Sequence, residues 1–182
     1  MTPFLRLLLI ALCLLGSTAP SVRAAPEPAN APKVKLTFVN AEKFTDVVVD
    51  GMTSKSGTDL LFSELNRHLA TLARRHLAPG QTLVLSVRDI DLAGVVEPWR
   101  GPDFGRVRYL RDTHPPRLAF DYQLLGADGT VAQEGAERLT NLTFRYQLST
   151  TTTRDTTHYE QQLLTDWMGA TFATPKQAKT KP

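Results

Sequence analysis

The chain has 182 residues, of which 42% are hydrophobic and 21% are charged, and its formal net charge at pH 7 is +3. This length fits one ordinary domain that can bury its own core. The small net charge excludes the electrostatic footprint of a nucleic-acid-binding protein. Cys13 is the only cysteine, so an intramolecular disulfide is excluded.

The first 24 residues have the pattern of an export signal. Arg6 precedes an unbroken apolar run at 7–16, and small residues follow up to Ala24. The run is too short to cross a bilayer comfortably, because crossing takes about 20 residues. We therefore expect cleavage near Ala24, a periplasmic location and no stable membrane anchor afterwards, with a retained anchor as the alternative.

Cys13 lies inside the apolar run and follows Leu12, not the small residues of a lipoprotein signal. A diacyl anchor is therefore not expected. Cleavage would also remove Arg6 and Arg23, two of the three net positive charges. The remaining chain would be nearly neutral and free of thiols, which excludes thiolate metal sites.

Composition divides the remaining chain into three parts. Residues 25–33 are rich in Pro and Ala and predict a flexible leader, and residues 174–182 are polar and basic and predict a disordered tail. No composition shift or repeat interrupts residues 34–173. They are predicted to form a single domain.

The first elements of this domain are a strand and a helix. Residues 34–39 alternate apolar and polar side chains and predict a strand. Ser56, with Asp59 three residues later, predicts the start of a helix through a capping box. One apolar stripe follows at helical spacing, formed by Leu61, Leu65, Leu69 and Leu72. Pro79 and Gly80 are predicted to end this helix.

Alternation and β-branched content predict four further strands. They cover residues 82–92, 106–110, 117–125 and 130–139. Residues 143–148 are a candidate extension of the sheet. A four-residue turn at 126–129 would place Phe120 opposite Gly135, so that an aromatic ring covers a strand glycine.

A second helix is predicted to begin at the capping box of Thr157 and Glu160. Its apolar face comprises Tyr159, Leu163, Leu164, Trp167, Met168 and Ala170. The element order is then β-α-β-β-β-β-α. An α+β domain with two amphipathic helices on one face of a mainly antiparallel sheet buries both apolar faces.

Three carboxylates form one candidate site. Asp89 and Asp91 are two residues apart on a predicted strand and therefore share a face, and Glu97 is close in sequence. They are candidates for an acid/base pair or for hard-cation ligands, although no calcium-loop spacing follows. The alternative is structural, with these carboxylates paired to arginines of a neighbouring strand, such as Arg106 or Arg108, or capping the loop.

The loop at 93–105 is the second candidate site, because it is rich in Gly and Pro and carries two aromatic residues. Trp99, Arg100 and Phe104 are predicted either to form a contact surface or to fold down as a lid on the core. No nucleophile elbow and no glycine-rich phosphate loop is present, so no cofactor, metal or catalytic residue is expected.

Five segments spread over the predicted domain carry a family resemblance. They lie at 34–46, 80–94, 116–124, 135–142 and 159–167, and the strings Asp-Ile-Asp-Leu-Ala-Gly and Tyr-Glu…Asp-Trp are the most specific. They resemble the exported proteobacterial family known as domain of unknown function 3016. The resemblance implies a bacterial exported protein and carries no assigned reaction. It singles out Asp89, Asp91, Glu160, Asp166 and Trp167, where Glu160 also suits a helix cap and Asp166 a surface carboxylate.

Two functional hypotheses follow from these features. The first is a non-catalytic binding or structural module of the bacterial envelope, whose protein partner contacts the aromatic loop or an exposed sheet edge. The second is a small envelope hydrolase or metal-dependent enzyme that uses Asp89, Asp91 and Glu97. The sequence favours the first and assigns no oligomeric state.

Overall fold

The computed structural model describes residues 30–49, 55–101, 104, 107–146 and 157–173. The helices and strands are β1 (Lys33–Phe38), α1 (Lys55–His76), β2 (Thr82–Asp91), β3 (Val95–Val96), β4 (Arg108–Tyr109), β5 (Arg117–Leu125), β6 (Val131–Thr140) and α2 (His158–Thr171). The α+β class and the predicted element order are confirmed, with the two-residue strand β3 added. The predicted export signal and tail lie outside the described residues and stay predictions.

The main sheet has four strands in the order β1-β2-β5-β6. β1 runs parallel to β2 through the α1 crossover, whereas the β2–β5 and β5–β6 pairs are antiparallel. The prediction of a mainly antiparallel sheet is therefore confirmed. β3 and β4 pair with each other in a separate two-stranded ribbon, so β4 does not extend the main sheet as one of its strands.

Both helices pack on one face of the sheet, as predicted. The four leucines of the α1 stripe are buried, and α2 contributes Leu163, Leu164, Trp167 and Met168 to the same core. Trp167 meets the rings of Phe120 and Tyr122 edge to face, with centroids 4.8 and 5.2 Å apart. The opposite face, called the open face below, carries partly or fully exposed side chains such as Ser86, Asp121 and Ala136.

The turn between β5 and β6 corrects the predicted register. Tyr122, and not Phe120, lies opposite Gly135, which is a shift of two residues. The turn is one residue longer than predicted, since Leu125 pairs with Val131 and not with Thr130, and one further residue bulges from β6 before Leu124 pairs with Gln133. A Cβ atom on Gly135 would lie 2.9 Å from Cε1 of Tyr122. An aromatic ring therefore does cover the strand glycine, although the longer turn and the bulge together change which ring it is.

Three boundary predictions are wrong. α1 begins at Lys55, so Ser56 lies inside the helix and is not its N-cap. Phe144–Tyr146 forms a 3-10 turn and does not extend the sheet. Ala170 is exposed, because the side of α2 that faces the core passes through Met168 and Phe172 instead.

No helix within the described residues is both long and apolar enough to span a membrane.

Candidate functional site

The β3–β4 ribbon leaves the sheet immediately after β2. Val95 pairs with Tyr109 and Val96 with Arg108. Gly94 precedes the ribbon with φ of 80°, and its N–H donates to the carbonyl of His114 at 2.8 Å. A side chain there would collide with the carbonyl of Tyr109. Glycine is therefore required where the chain turns into the ribbon.

Arg108 fastens the ribbon to the segment that follows β1. Its two terminal nitrogens donate to the Asp46 carboxylate at 2.8 and 3.0 Å. They also donate to the carbonyls of Val48 at 2.7 Å and Gly94 at 3.0 Å. A planar, two-pronged guanidinium suits this arrangement, since it holds a carboxylate and several carbonyls at once.

Glu97 holds the loop between the two ribbon strands. It is buried and accepts hydrogen bonds from Arg100 and from Arg111. Both guanidinium groups also lie against the ring of Tyr109, at 4.8 and 5.9 Å from its centroid. The loop therefore has a charged and aromatic framework of its own.

The electrostatics of Glu97 favour its ionised form. Burial raises the pKa of this carboxyl, but the hydrogen bonds and charges of Arg100 and Arg111 outweigh burial and hold the pKa below its ordinary value. The group therefore stabilises the folded protein at pH values above its unfolded pKa. That contribution is lost as the pH falls through the folded pKa.

A pH series on Glu97→Gln checks this sign. We expect the wild type to melt above the variant at neutral pH, and the difference in Tm to shrink as the pH falls. Asp91→Asn is the control, and it should change the Tm at neutral pH in the opposite direction. Burial and the charges of Asp46 and Asp89 raise the pKa of Asp91, and Arg117 only partly offsets them. A Tm difference for Glu97→Gln that stays constant down to acid pH would contradict the assignment.

Four apolar side chains in and beside this loop are exposed. Trp99 is 74% exposed and Phe104 is 44% exposed, and Val107 and Leu110 are similarly open. We call these four residues the ribbon surface. The lid interpretation is wrong for Trp99, since a lid would bury its indole. The contact-surface interpretation stays a prediction, and it requires the exposure that Trp99, Arg100 and Phe104 have.

The two strand aspartates lie on the open face but bind different partners. Thr45 donates to Asp89 through its N–H at 2.7 Å and through Oγ1 at 2.8 Å. Arg117, directly opposite Asp91 on β5, donates to that carboxylate at 3.1 Å. The structural alternative is therefore right in kind, but Arg108 pairs with Asp46, and Arg106 lies outside the described residues.

The carboxylate triad of the enzyme hypothesis is not assembled. Asp89 and Asp91 are neighbours, whereas Glu97 belongs to the arginine framework of the ribbon loop. Within the part of the chain that the structure describes, no three His, Cys, Asp or Glu side chains form a group that could hold a metal ion. Each of the three carboxylates instead accepts hydrogen bonds from its own local donors.

The capping box predicted for Thr157 and Glu160 is wrong, because Thr157 makes no side-chain cap hydrogen bond, and sequence reasoning missed the role that Glu160 has instead. Its side chain is fully buried and accepts a hydrogen bond from the N–H of Ala93 at 2.8 Å. This bond ties the first turn of α2 to the residue before Gly94, where the ribbon begins. A signal was present, because Glu160 interrupts the face that carries Leu163 and Leu164. Asp166 is exposed and accepts from Gln162, as expected of a surface carboxylate.

These features define a small α+β domain that presents a braced ribbon with exposed aromatic side chains. The chain belongs to the family described as "Protein of unknown function (DUF3016)", whose model matches residues 32–170. This match confirms the resemblance found in the sequence. It assigns no reaction.

Curated proteins and solved structures add no functional assignment. No curated protein matches the chain. A point variant of the PelC dodecamer from Paraburkholderia phytofirmans is 9% identical, with a TM-score of 0.39 over 79% of this chain and 86% of that chain. A second PelC dodecamer structure from the same organism is 10% identical, with a TM-score of 0.35 over 79% and 91% of the two chains. Likenesses this weak carry no argument about function or assembly.

Proposed function

We propose that this protein is a non-catalytic binding module of the bacterial envelope that captures a protein partner through the ribbon surface. The observation that carries the proposal is the 74% exposure of Trp99 on a loop held by ion pairs and ring contacts. A large apolar side chain that is exposed to water in the free protein contributes favourable free energy to binding when a partner buries it. Tryptophan and arginine are also the residues that most often dominate protein interfaces.

The bracing of the loop supports the proposal energetically. Glu97 fixes Arg100 and Arg111, and Arg108 fixes the base of the ribbon. A surface that is already ordered loses little conformational entropy when it binds, so more of the contact energy appears as affinity.

The envelope location rests on the N-terminal sequence. The apolar run at 7–16 and the small residues before Ala25 are the pattern that an export pathway recognises and cuts. The remaining chain has no cysteine, so an oxidising compartment cannot crosslink it through thiols. The protein recovered from the periplasmic fraction should therefore begin at Ala25.

Capture from envelope extract tests the proposal. We expect the double variant Trp99→Ala/Phe104→Ala, purified from the periplasmic fraction, to bind its partner about tenfold more weakly than wild type, as loss of a central aromatic anchor implies. Leu60→Ala/Val39→Ala is the matched control, because it removes two exposed apolar side chains elsewhere. Equal capture by wild type and the ribbon double variant, with both folded, would refute the ribbon surface as the binding site.

The hydrolase or metal-dependent alternative is not carried forward. Asp91 is paired with Arg117, Asp89 is bound by Thr45, and Glu97 is bound by two arginines. No observation of this structure favours catalysis at these positions.

A further inference from the structure

The outer edge of β6 is unpaired within the described residues, and it lies on a different element from the ribbon surface. β6 spans ten residues at the end of the sheet and pairs with β5 on one side only within the described residues. Its first six residues, 131–136, are all exposed. Backbone N–H and C=O groups that point away from β5 along this edge are a template for another strand.

The two edges of the sheet differ in how they resist pairing. β1 has six residues, follows Pro32, and exposes Lys33 and Lys35 with no acidic residue to offset them. Short length, proline and lysine are the usual means of blocking an edge strand. β6 contains neither lysine nor proline and carries charges of both signs, and its bulge lies at its start, so pairing is regular from Gln133 to Thr140. The β6 edge is therefore the one open to a partner strand.

The charges of β6 are arranged symmetrically about Ala136. Glu134 and Arg138 lie two residues to either side of it, so all three share the open face. On β5 their neighbours are Gln123 and Ala119, so Arg138 has no acidic residue opposite it on that side. Glu134 accepts one hydrogen bond from Gln123 at 2.9 Å.

From this symmetry we infer that β6 pairs in antiparallel fashion with β6 of a second copy of the chain, with Ala136 at the two-fold axis. Glu134 then lies opposite Arg138 of the second copy, and Arg138 lies opposite Glu134 of the second copy. Opposite charges at directly facing positions stabilise such a ladder, and the same patch on both copies gives a closed dimer. One sheet runs through both copies, with all helices on the same face.

Other registers of the same pairing are unfavourable. Centring the pair on Glu134, Glu137 or Arg138 places that residue opposite its own copy, so like charges meet. Centring it on Gly135 pairs Glu134 with Ala136 and matches no charges. The register about Ala136 also places Glu137 opposite Gly135 of the second copy, so that no second charge faces it there.

Charge reversal tests this interface by analytical ultracentrifugation over a concentration series of the purified protein. We expect wild type to be a dimer, and Glu134→Arg and Arg138→Glu each to weaken self-association about tenfold or more, because two attractive pairs become two repulsive ones. The double variant Glu134→Arg/Arg138→Glu should associate like wild type. An equimolar mixture of the two single variants should also dimerise, since every facing pair is then opposite in charge.

Each outcome has a defined meaning for the β6 interface. Lys35→Glu is the matched control, because it reverses an exposed charge on the opposite edge and should leave association unchanged. A monomeric wild type at every concentration overturns the inference. So does a dimer that both single variants keep, or a pair of single variants that fails to associate when mixed. Thermal melts confirm that the variants are folded, and loss of partner capture at the ribbon surface is measured separately.

Discussion

Replacing Trp167 with alanine is expected to lower the free energy of unfolding by about 3–5 kcal/mol, the usual cost of deleting a large aromatic side chain from a core. The indole is 5% exposed and contacts the rings of Phe120, Tyr122 and Phe172 edge to face. Alanine would leave a cavity between α2 and β5 that the surrounding rings cannot fill without losing these contacts. Urea unfolding followed by circular dichroism measures the change.

Trp99→Ala is the matched control for Trp167→Ala. The chain has two tryptophans, and Trp99 lies on the surface, so its removal should change the free energy of unfolding by less than about 0.5 kcal/mol. The loss in free energy of unfolding for Trp167→Phe should lie between those of the two alanine variants, because phenylalanine keeps a ring in the cavity. If both alanine variants lost the same stability, the packing of α2 on the sheet described above would be wrong.

Replacing Arg108 with alanine is expected to cost about 3 kcal/mol, because removing one member of a largely buried ion pair leaves the other charge without compensation. The side chains of Arg108 and Asp46 are only 12% and 21% exposed. The variant would also leave the carbonyls of Val48 and Gly94 without this donor. Thermal and urea unfolding measure the loss, and hydrogen exchange should show faster opening of both segments that Arg108 joins.

Arg117→Ala is the matched control for Arg108→Ala. Arg117 also pairs with an aspartate, but its side chain is 57% exposed, and exposed pairs contribute about 0–1 kcal/mol. Arg108→Lys separates charge from geometry, since lysine keeps the charge but loses the planar fork. Equal losses for Arg108→Ala and Arg117→Ala would show that the ribbon is held by contacts other than this pair.

The parts of the fold that were predictable have a local periodic signal. The alternation of Leu118, Phe120, Tyr122 and Leu124 identified β5, and the leucine stripe identified the buried side of α1. In both cases the spacing of apolar residues along the sequence indicates which side chains are buried. The same principle failed at Ala170, where helical spacing could not indicate which side of the last turn would meet the sheet.

The candidate site was only half predictable. Trp99, Arg100 and Phe104 were identified from composition, but whether they form a lid or a surface depends on the direction in which the loop leaves the sheet. Asp46 and Arg108 are 62 residues apart in sequence, and Glu160 and Ala93 are 67 residues apart. No local sequence pattern links residues at such separations. Asp46, Arg108 and Glu160 are each of a type that is common on protein surfaces, so none of them indicates a distant partner by itself.

The sequence by itself determined the α+β class, the order of the main strands and helices, the family and the residues that fill the core, because burial imposes a repeating pattern along each element. Only the tertiary structure decided that the carboxylates bind separate partners, that a longer turn and a bulge together place Tyr122 opposite Gly135, and that Trp99 faces solvent. These outcomes depend on contacts between distant segments and on small shifts in register, and neither leaves a periodic pattern in the sequence.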